Sequence, residues 1–236
     1  MPQAHPVVFL LDVDNTLLDN DQIVVDLKRH LTEAFGSECE KRYWAIFEEN
    51  RAAVGYADYL SALQRYRIEN PHNPHILKLS YFLLEYPFAD RLFPGALEVI
   101  ARFNSWGQSV ILSDGDVVFQ PRKIERSGLY SAVDERALIY VHKEQQLDDV
   151  EMRYPARHYV LVDDKLRLLN AVKKVWGPRV TTVFPRQGHY AHDPKLLTAY
   201  PPADVTVERI EDLLLYDLST LLAAAQAGGG ALGSSG

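Results

Sequence analysis

The sequence predicts an α/β protein: a doubly wound parallel sheet with an inserted all-helical domain. Three observations carry that expectation. Short apolar, β-branched runs alternate with helical patterns along most of the chain, the signature of a parallel sheet covered on both faces. Each of four runs ends in a cluster of acidic, hydroxyl or basic residues. Between the first run and the second, from about residue 20 to 92, there is no strand-like stretch at all.

The first strand is expected at residues 7–11, VVFLL, whose length and branching suit a buried strand. It runs directly into Asp12, Asp14 and Asp19, with Thr16 between the last two. The inserted helices follow at residues 22–36, 38–53, 56–70 and 75–86. This is far more chain than a parallel crossover needs, so it reads as a second, helical domain entered near Asp19–Asp21 and left near Asp90–Pro94. The stretch PGALEVIARFNSWG then places Pro94 at a first turn and Gly107 at a stop. A second strand follows at residues 109–112, a helix in QPRKIERSGL, and strands at 137–141 and 159–162. The helix KLRLLNAVKKVWG spaces Leu166, Leu169, Val172 and Trp176 along one face, and a fifth strand lies at 179–184. AAAQAGGGALGSSG, residues 223–236, reads as a flexible tail of low complexity. The expected division is a core of residues 1–19 and 91–222, a helical cap of 20–90, and the tail.

The 236 residues, 47% of them hydrophobic, suffice for one full core plus an insertion. A net charge of −7 argues against coating nucleic acid or an anionic membrane. It leaves room for a phosphorylated small molecule, because a metal ion and a few cations can invert the field of a site. Cys39 is the only cysteine, so no internal disulfide can form. No signal peptide or membrane span can be drawn. The expectation is a cytoplasmic protein, monomeric or weakly dimeric.

The chemistry stands where the strands end. The first ends in Asp12-Val-Asp14-Asn-Thr16, the second in Ser113-Asp114-Gly115-Asp116, the third is followed by His142-Lys143-Glu144, and the fourth ends in Asp163-Asp164-Lys165. In a doubly wound sheet these places converge on one crevice at the carboxyl ends of the strands. Each alone has an ordinary explanation, since Asp caps helices and starts turns and most lysines are solvated. Together they gather carboxylates, a hydroxyl and an ammonium. Two carboxylates as close as Asp12 and Asp14 repel, and one is driven toward its protonated form unless something compensates. A hard divalent cation with oxygen ligands, Mg²⁺ above all, and Lys143 are the expected compensation.

At this point the chain resembles the haloacid dehalogenase-like (HAD) hydrolase superfamily, across residues 7 to about 190. The matching pieces are DVDNT, ILS, Lys143 and VDD, in that order. The resemblance implies a Rossmann-like core, with the helical insertion as a cap. It implies an aspartyl-phosphate mechanism in which Asp12 is the nucleophile and Asp14 the general acid and then base. Lys143 neutralises charge, and Thr16, Ser113, Asp114, Gly115 and Lys143 form the phosphate-binding set, helped by backbone amides near Asp14 and Gly115. Asp12, Asp14, Asp163 and Asp164 are the implied Mg²⁺ ligands. Members that cleave carbon–halogen bonds lack the second aspartate, so Asp14 points to a phosphatase of a small metabolite. A phosphomutase shares all these motifs, and a non-catalytic binding module is the alternative from another class.

Two departures stand out. Asn15 occupies a place where many relatives have glycine; Asn tolerates left-handed backbone angles. VDDKLRLL lacks the later aspartate of many relatives, with Leu168 or Leu169 in its place, so which of Asp163 and Asp164 meets the metal is open. Substrate choice is expected from the Gly55-Tyr56 tip, which could also be a plain helix break, and from the loop FPRQGHYAHDP, residues 184–194. Its Arg186, His189, Tyr190 and His192 could bind a second anionic group, order Asp164, or simply lie at the surface. His72 and His75, flanked by prolines, read as cap-loop residues.

Overall fold

Residues 7–11 are buried almost without exposure, which requires cover on both faces of their strand. In the computed structural model, which describes residues 5–74 and 76–227, that cover exists. The strand β1 (His5–Leu11) lies within a six-stranded parallel sheet. Its companions are β2 (Gln108–Asp114), β3 (Ala137–Tyr140), β4 (Ala156–Val162), β5 (Val180–Pro185) and β6 (Val205–Val207). The order is β3-β2-β1-β4-β5-β6, so it reverses between β1 and β4. That switch point is where a doubly wound sheet opens a ligand crevice.

Four helices make up the insert that follows β1: α1 (Asn20–Phe35), α2 (Ser37–Val54), α3 (Tyr59–Glu69) and α4 (Ile76–Glu85). Asp19, the third acid of the opening stretch, caps α1 by accepting from the Gln22 amide at 2.9 Å. The two connections to this insert run side by side. Asp19 N–H donates to Arg91 O at 2.7 Å and Phe93 N–H to Leu17 O at 2.9 Å. The remaining helices are α5 (Ala96–Asn104), α6 (Phe119–Arg126), α7 (Leu129–Ala132), α8 (Leu147–Arg153), α9 (Leu166–Trp176), α10 (Pro194–Ala199) and α11 (Leu218–Ala227). No described helix is long and apolar enough to cross a membrane.

The period-two alternation of β1 divides the core. Val7, Phe9 and Leu11 face α5, α6, α11 and the insert; Phe9 stacks on Phe103 with ring centroids 4.2 Å apart. Val8 and Leu10 face the other way, where Leu166, Leu169, Val172 and Trp176 of α9 pack as their spacing predicts.

Three features escaped the sequence pattern. The strand β6 is only three residues long, too short for a periodic signal. The strand β3 stops at Tyr140, and Val141, counted in the predicted strand, is 49% exposed. The predicted tail begins inside α11, whose Leu221 and Ala225 are buried; the alanine-rich start of that stretch has high helix propensity. Residues 228–236 of the expected tail, and His75, lie outside the described residues. His72 is exposed in the turn after α3.

Candidate active site

Sheet order brings the predicted clusters together. The ends of β1 and β4 are neighbours across the switch point, so Asp12 meets Asp163 and Asp164. Ligand oxygens of these three buried carboxylates lie within 4.8 Å of one another. Lys143, from the loop after β3, reaches across β2 and is 2% exposed. Its Nζ lies 2.5 Å from Asp12 Oδ1, 2.6 Å from Asp163 Oδ2 and 3.1 Å from Leu112 O.

The electrostatics follow from that geometry. Burial alone raises the Asp12 pKa, but the charges of Lys143 and Lys165 and hydrogen bonds from Lys143 and Thr16 bring it below its ordinary value. Burial dominates at Asp163 and still more at Asp164, and both are raised. Burial would lower Lys143 and Lys165, yet the surrounding carboxylates hold both above normal. Three carboxylates thus face two ammonium groups. Among the described residues both oxygens of Asp164 are buried without a hydrogen-bond partner, an expensive arrangement unless something else is bound. Asp163 is more fully used: Oδ1 accepts from the Lys165 amide at 2.8 Å and Oδ2 faces Lys143. An all-oxygen donor set with an unpartnered carboxylate fits a hard divalent cation.

Several predicted residues hold other positions. Asp14, counted among the metal ligands, is not in the carboxylate group. It is 25% exposed, and its Oδ1 is 2.6 Å from Lys123 Nζ. The compensation met by Asp14 is therefore Lys123, which the sequence reading did not single out. Thr16, expected at the phosphate, is wholly buried; its hydroxyl donates to Asp12 Oδ2 at 3.1 Å and accepts from the Asp164 amide at 3.1 Å. It ties the Asp12 carboxylate to the Asp164 backbone instead. The Gly115 amide, expected to hold a phosphoryl oxygen, donates to Tyr140 O at 2.9 Å. Asp114 accepts from the Lys143 amide at 2.7 Å, and burial, partly opposed by Lys143, pushes its pKa up to about 6. Asp116 accepts from the Val118 and Phe119 amides at the start of α6, a turn-forming role. Ser113 stands at the end of β2 as expected, its hydroxyl accepting from Gln120 Nε2 at 2.9 Å.

Asn15 takes the left-handed conformation its type allows, with φ +60°. Its side chain donates to Asp21 at 3.0 Å and accepts from the Asn20 and Asp21 amides. Gly188, at φ +69°, fits against it so closely that a Cβ would fall 2.5 Å from Asn15 Cβ. Beside it, Gln187 donates to Thr16 O at 3.1 Å. The loop after β5 thus braces the opening motif through Gln187 and Gly188. His189 pairs with Asp21, Nδ1 to Oδ1 at 2.7 Å, and Tyr190 hydrogen-bonds Arg51 of the insert. Arg186 pairs with Glu208 at 3.0 Å and His192 is exposed. No hydrogen bond from this loop reaches the Asp164 carboxylate, whose oxygens have no hydrogen-bond partner among the described residues.

A cavity of about 570 Å³ opens between core and insert. Asp14, Asp114, Asp164 and Lys165 line it from the core, and Lys28, Trp44, Arg51 and Tyr56 from the insert. Gly55 and Tyr56 of the predicted tip both border it. Asp12, Ser113 and Lys143 are each 2% exposed or less.

Lys123, Gln120 and Gln187 are not singled out by the sequence, and Lys165, which it places at the end of the fourth strand, receives no role there. Gln120 and Lys123 are three apart on a predicted helix, hence on one face, but nothing in the pattern marks that face as directed at the site.

The comparisons agree with this architecture. The family model for haloacid dehalogenase-like hydrolase matches residues 7–174. A haloacid dehalogenase-like hydrolase from Burkholderia xenovorans LB400 is 61% identical, over 90% of this chain and 99% of that one, with a TM-score of 0.87. The fold alone is shared with the magnesium-bound HAD-hydrolase YfnB of Bacillus subtilis, at 14% identity, 90% and 98% coverage and TM-score 0.58. The same holds for an L-2-haloacid dehalogenase from Xanthobacter autotrophicus, at 18% identity, 89% and 97% coverage and TM-score 0.56. No curated protein matches the chain.

Proposed function

The chain belongs to the haloacid dehalogenase-like hydrolases, and within that family we propose that it is a Mg²⁺-dependent phosphatase of a small phosphorylated metabolite. One observation carries the choice: Asp14, two residues after the nucleophile, lines the cavity with a carboxylate. Hydrolysis of a phosphate ester needs a proton for the departing oxygen, whereas a departing halide needs none. The insert, borne on its paired connections, serves in this reading as the cap that selects the substrate.

In the first step an Asp12 oxygen attacks phosphorus. The bond from phosphorus to Asp12 forms as the bond to the ester oxygen breaks, and Asp14 gives that oxygen its proton. Water then attacks the phosphoryl group, Asp14 takes the water's proton, and Asp12 is released with inorganic phosphate. Ser113 donates a hydrogen bond to a phosphoryl oxygen. Lys143 keeps Asp12 ionised and offsets the approach of two anions. Thr16 fixes the Asp12 carboxylate, donating to Oδ2 while Lys143 holds Oδ1. Asp12, Asp163 and Asp164 would hold Mg²⁺, with Asp164 offering unpartnered oxygens. The ion, when bound, supplies positive charge to stabilise the transferring phosphoryl group.

Phosphate release from p-nitrophenyl phosphate, with Mg²⁺ and after chelation, tests this reading against halide release from a 2-haloacid. Metal-dependent phosphate release is expected. Halide release without phosphatase activity would overturn it. Product analysis with a panel of phosphorylated metabolites separates hydrolysis from transfer to a sugar.

A further inference from the structure

The helix α6 carries three cations, and one of them is out of place. Arg122 and Arg126 are 34% exposed and pair with Glu85 in the manner of surface residues. Lys123 is 1% exposed. An ammonium removed from water is costly unless partners replace the water. Among the described residues Lys123 Nζ has two: Asp14 Oδ1 at 2.6 Å and Asn20 Oδ1 at 3.0 Å. It also lies 5.1 Å from the Phe119 ring centroid. No hydrogen bond joins it to Asp12, Asp163 or Asp164, which answer to Lys143 and Lys165 instead.

Asp14 sits where the chain leaves β1 and turns through the left-handed Asn15. Its side chain borders the cavity and is 25% exposed, so packing encloses it only in part. The hydrogen bond from Lys123 does fix it. With Oδ1 held, Oδ2 makes no hydrogen bond among the described residues and is free for another partner. The donor is itself rigid, being wholly buried on a helix and anchored a second time on Asn20, the first residue of α1. Three residues before it on the same helix face, Gln120 holds the Ser113 hydroxyl at 2.9 Å.

We propose that Lys123 is a positioning residue for proton transfer by Asp14, holding one carboxylate oxygen so that the other meets the oxygen that leaves phosphorus. The inference rests on the phosphatase reading above. It concerns orientation: Lys123, which also borders the cavity, makes its hydrogen bonds to Asp14 and Asn20, not to Asp12, Asp163 or Asp164, and acts in this reading through Asp14.

The test uses Lys123→Met, which keeps length and removes the donor, with two substrates. An alkyl phosphate needs the proton; p-nitrophenyl phosphate departs nearly unaided. General acid catalysis is worth about 10²–10⁴-fold, so Lys123→Met should lower kcat on the alkyl phosphate by about 10²-fold or more. The nitrophenol burst rate and both KM values should stay within about threefold. In an Asp14→Asn background the same change should cost nothing further, because the group that Lys123 orients is already disabled. If Lys123→Met does not fold, Lys123→Arg is read the same way: it keeps the charge, displaces the donor, and should show a smaller split of the same kind. A nitrophenol burst slowed as much as alkyl phosphate turnover, a raised KM without a kcat defect, or losses that multiply with those of Asp14→Asn overturn the proposal. A wild-type protein inert toward both esters overturns the phosphatase reading itself, and this inference with it.

Discussion

Asp26→Asn should destabilise the fold by an amount that depends on pH, and the structure gives both size and sign. Asp26, on α1, is 5% exposed. It accepts from Gln22 at 3.0 Å, Arg29 at 2.5 Å, Arg91 at 2.7 and 3.2 Å, and the Tyr86 hydroxyl. These donors come from α1 itself and from the segment that leads the chain out of the insert, so the carboxylate clamps one to the other. Asparagine keeps the shape but turns one acceptor into a donor that faces other donors. Breaking a fully buried ion pair costs about 3–5 kcal/mol. Here Arg29 and Arg91 are 60% and 29% exposed and can turn to water, which reduces the expected loss to about 2–3 kcal/mol. For a domain of this size that is a Tm lower by about 4–12 °C.

The pH dependence has a fixed sign. Burial alone would raise the Asp26 pKa, but Tyr86, Arg91 and Gln22 bring it below the ordinary 3.8. A carboxylate depressed in the folded state contributes stability that is complete above 3.8 and lost as pH falls through the lower folded value. Thermal unfolding of wild type and variant, followed by circular dichroism, should show the full gap at about pH 7 and a narrowing gap below about pH 4. A gap of less than about 1 °C at neutral pH refutes the clamp. A gap that persists undiminished in acid refutes the charge as its cause.

Asp12→Asn should abolish turnover, read as phosphate release. The repulsion visible in the sequence argues that its stability should hold or rise. The hydrogen bonds from Lys143 and Thr16 argue the reverse, so without metal its Tm should fall by a few degrees, about 1–2 kcal/mol; an unchanged or higher Tm favours the repulsion argument. Mg²⁺ at about a hundred times its Kd should stabilise wild type by about 2.7 kcal/mol, while Asp164→Ala should lose that thermal shift and need more Mg²⁺ for activity. Activity that survives thorough chelation counts against the metal assignment. Asp14→Asn should lose alkyl phosphate turnover by about 10²–10⁴-fold yet give a burst of nitrophenol with phosphoenzyme visible by intact mass; equal loss on both esters without phosphoenzyme makes Asp14 structural.

The sequence by itself determined five of the six strands, the helical stretch between the first two, and the acids that stand at the strand ends. Burial on both faces demands continuous apolar runs such as VVFLL, and a strand that ends abruptly in Asp12 or Asp163 announces the change from core to crevice. Those signals are local, and a local pattern survives without neighbours. The partners of those acids are not local. Asp14 meets Lys123 across 109 positions, Thr16 meets the Asp164 amide across 148, and Gln187 reaches Thr16 O across 171. Nothing in the residues around Lys123 separates it from the two exposed arginines on its own helix. The tertiary structure decided which cation on α6 is buried, which hydroxyl faces Asp12, and which carboxylate has no hydrogen-bond partner among the described residues. Charge and hydrogen bonding act over a few ångströms of space, and only the packed chain sets which residues share that distance.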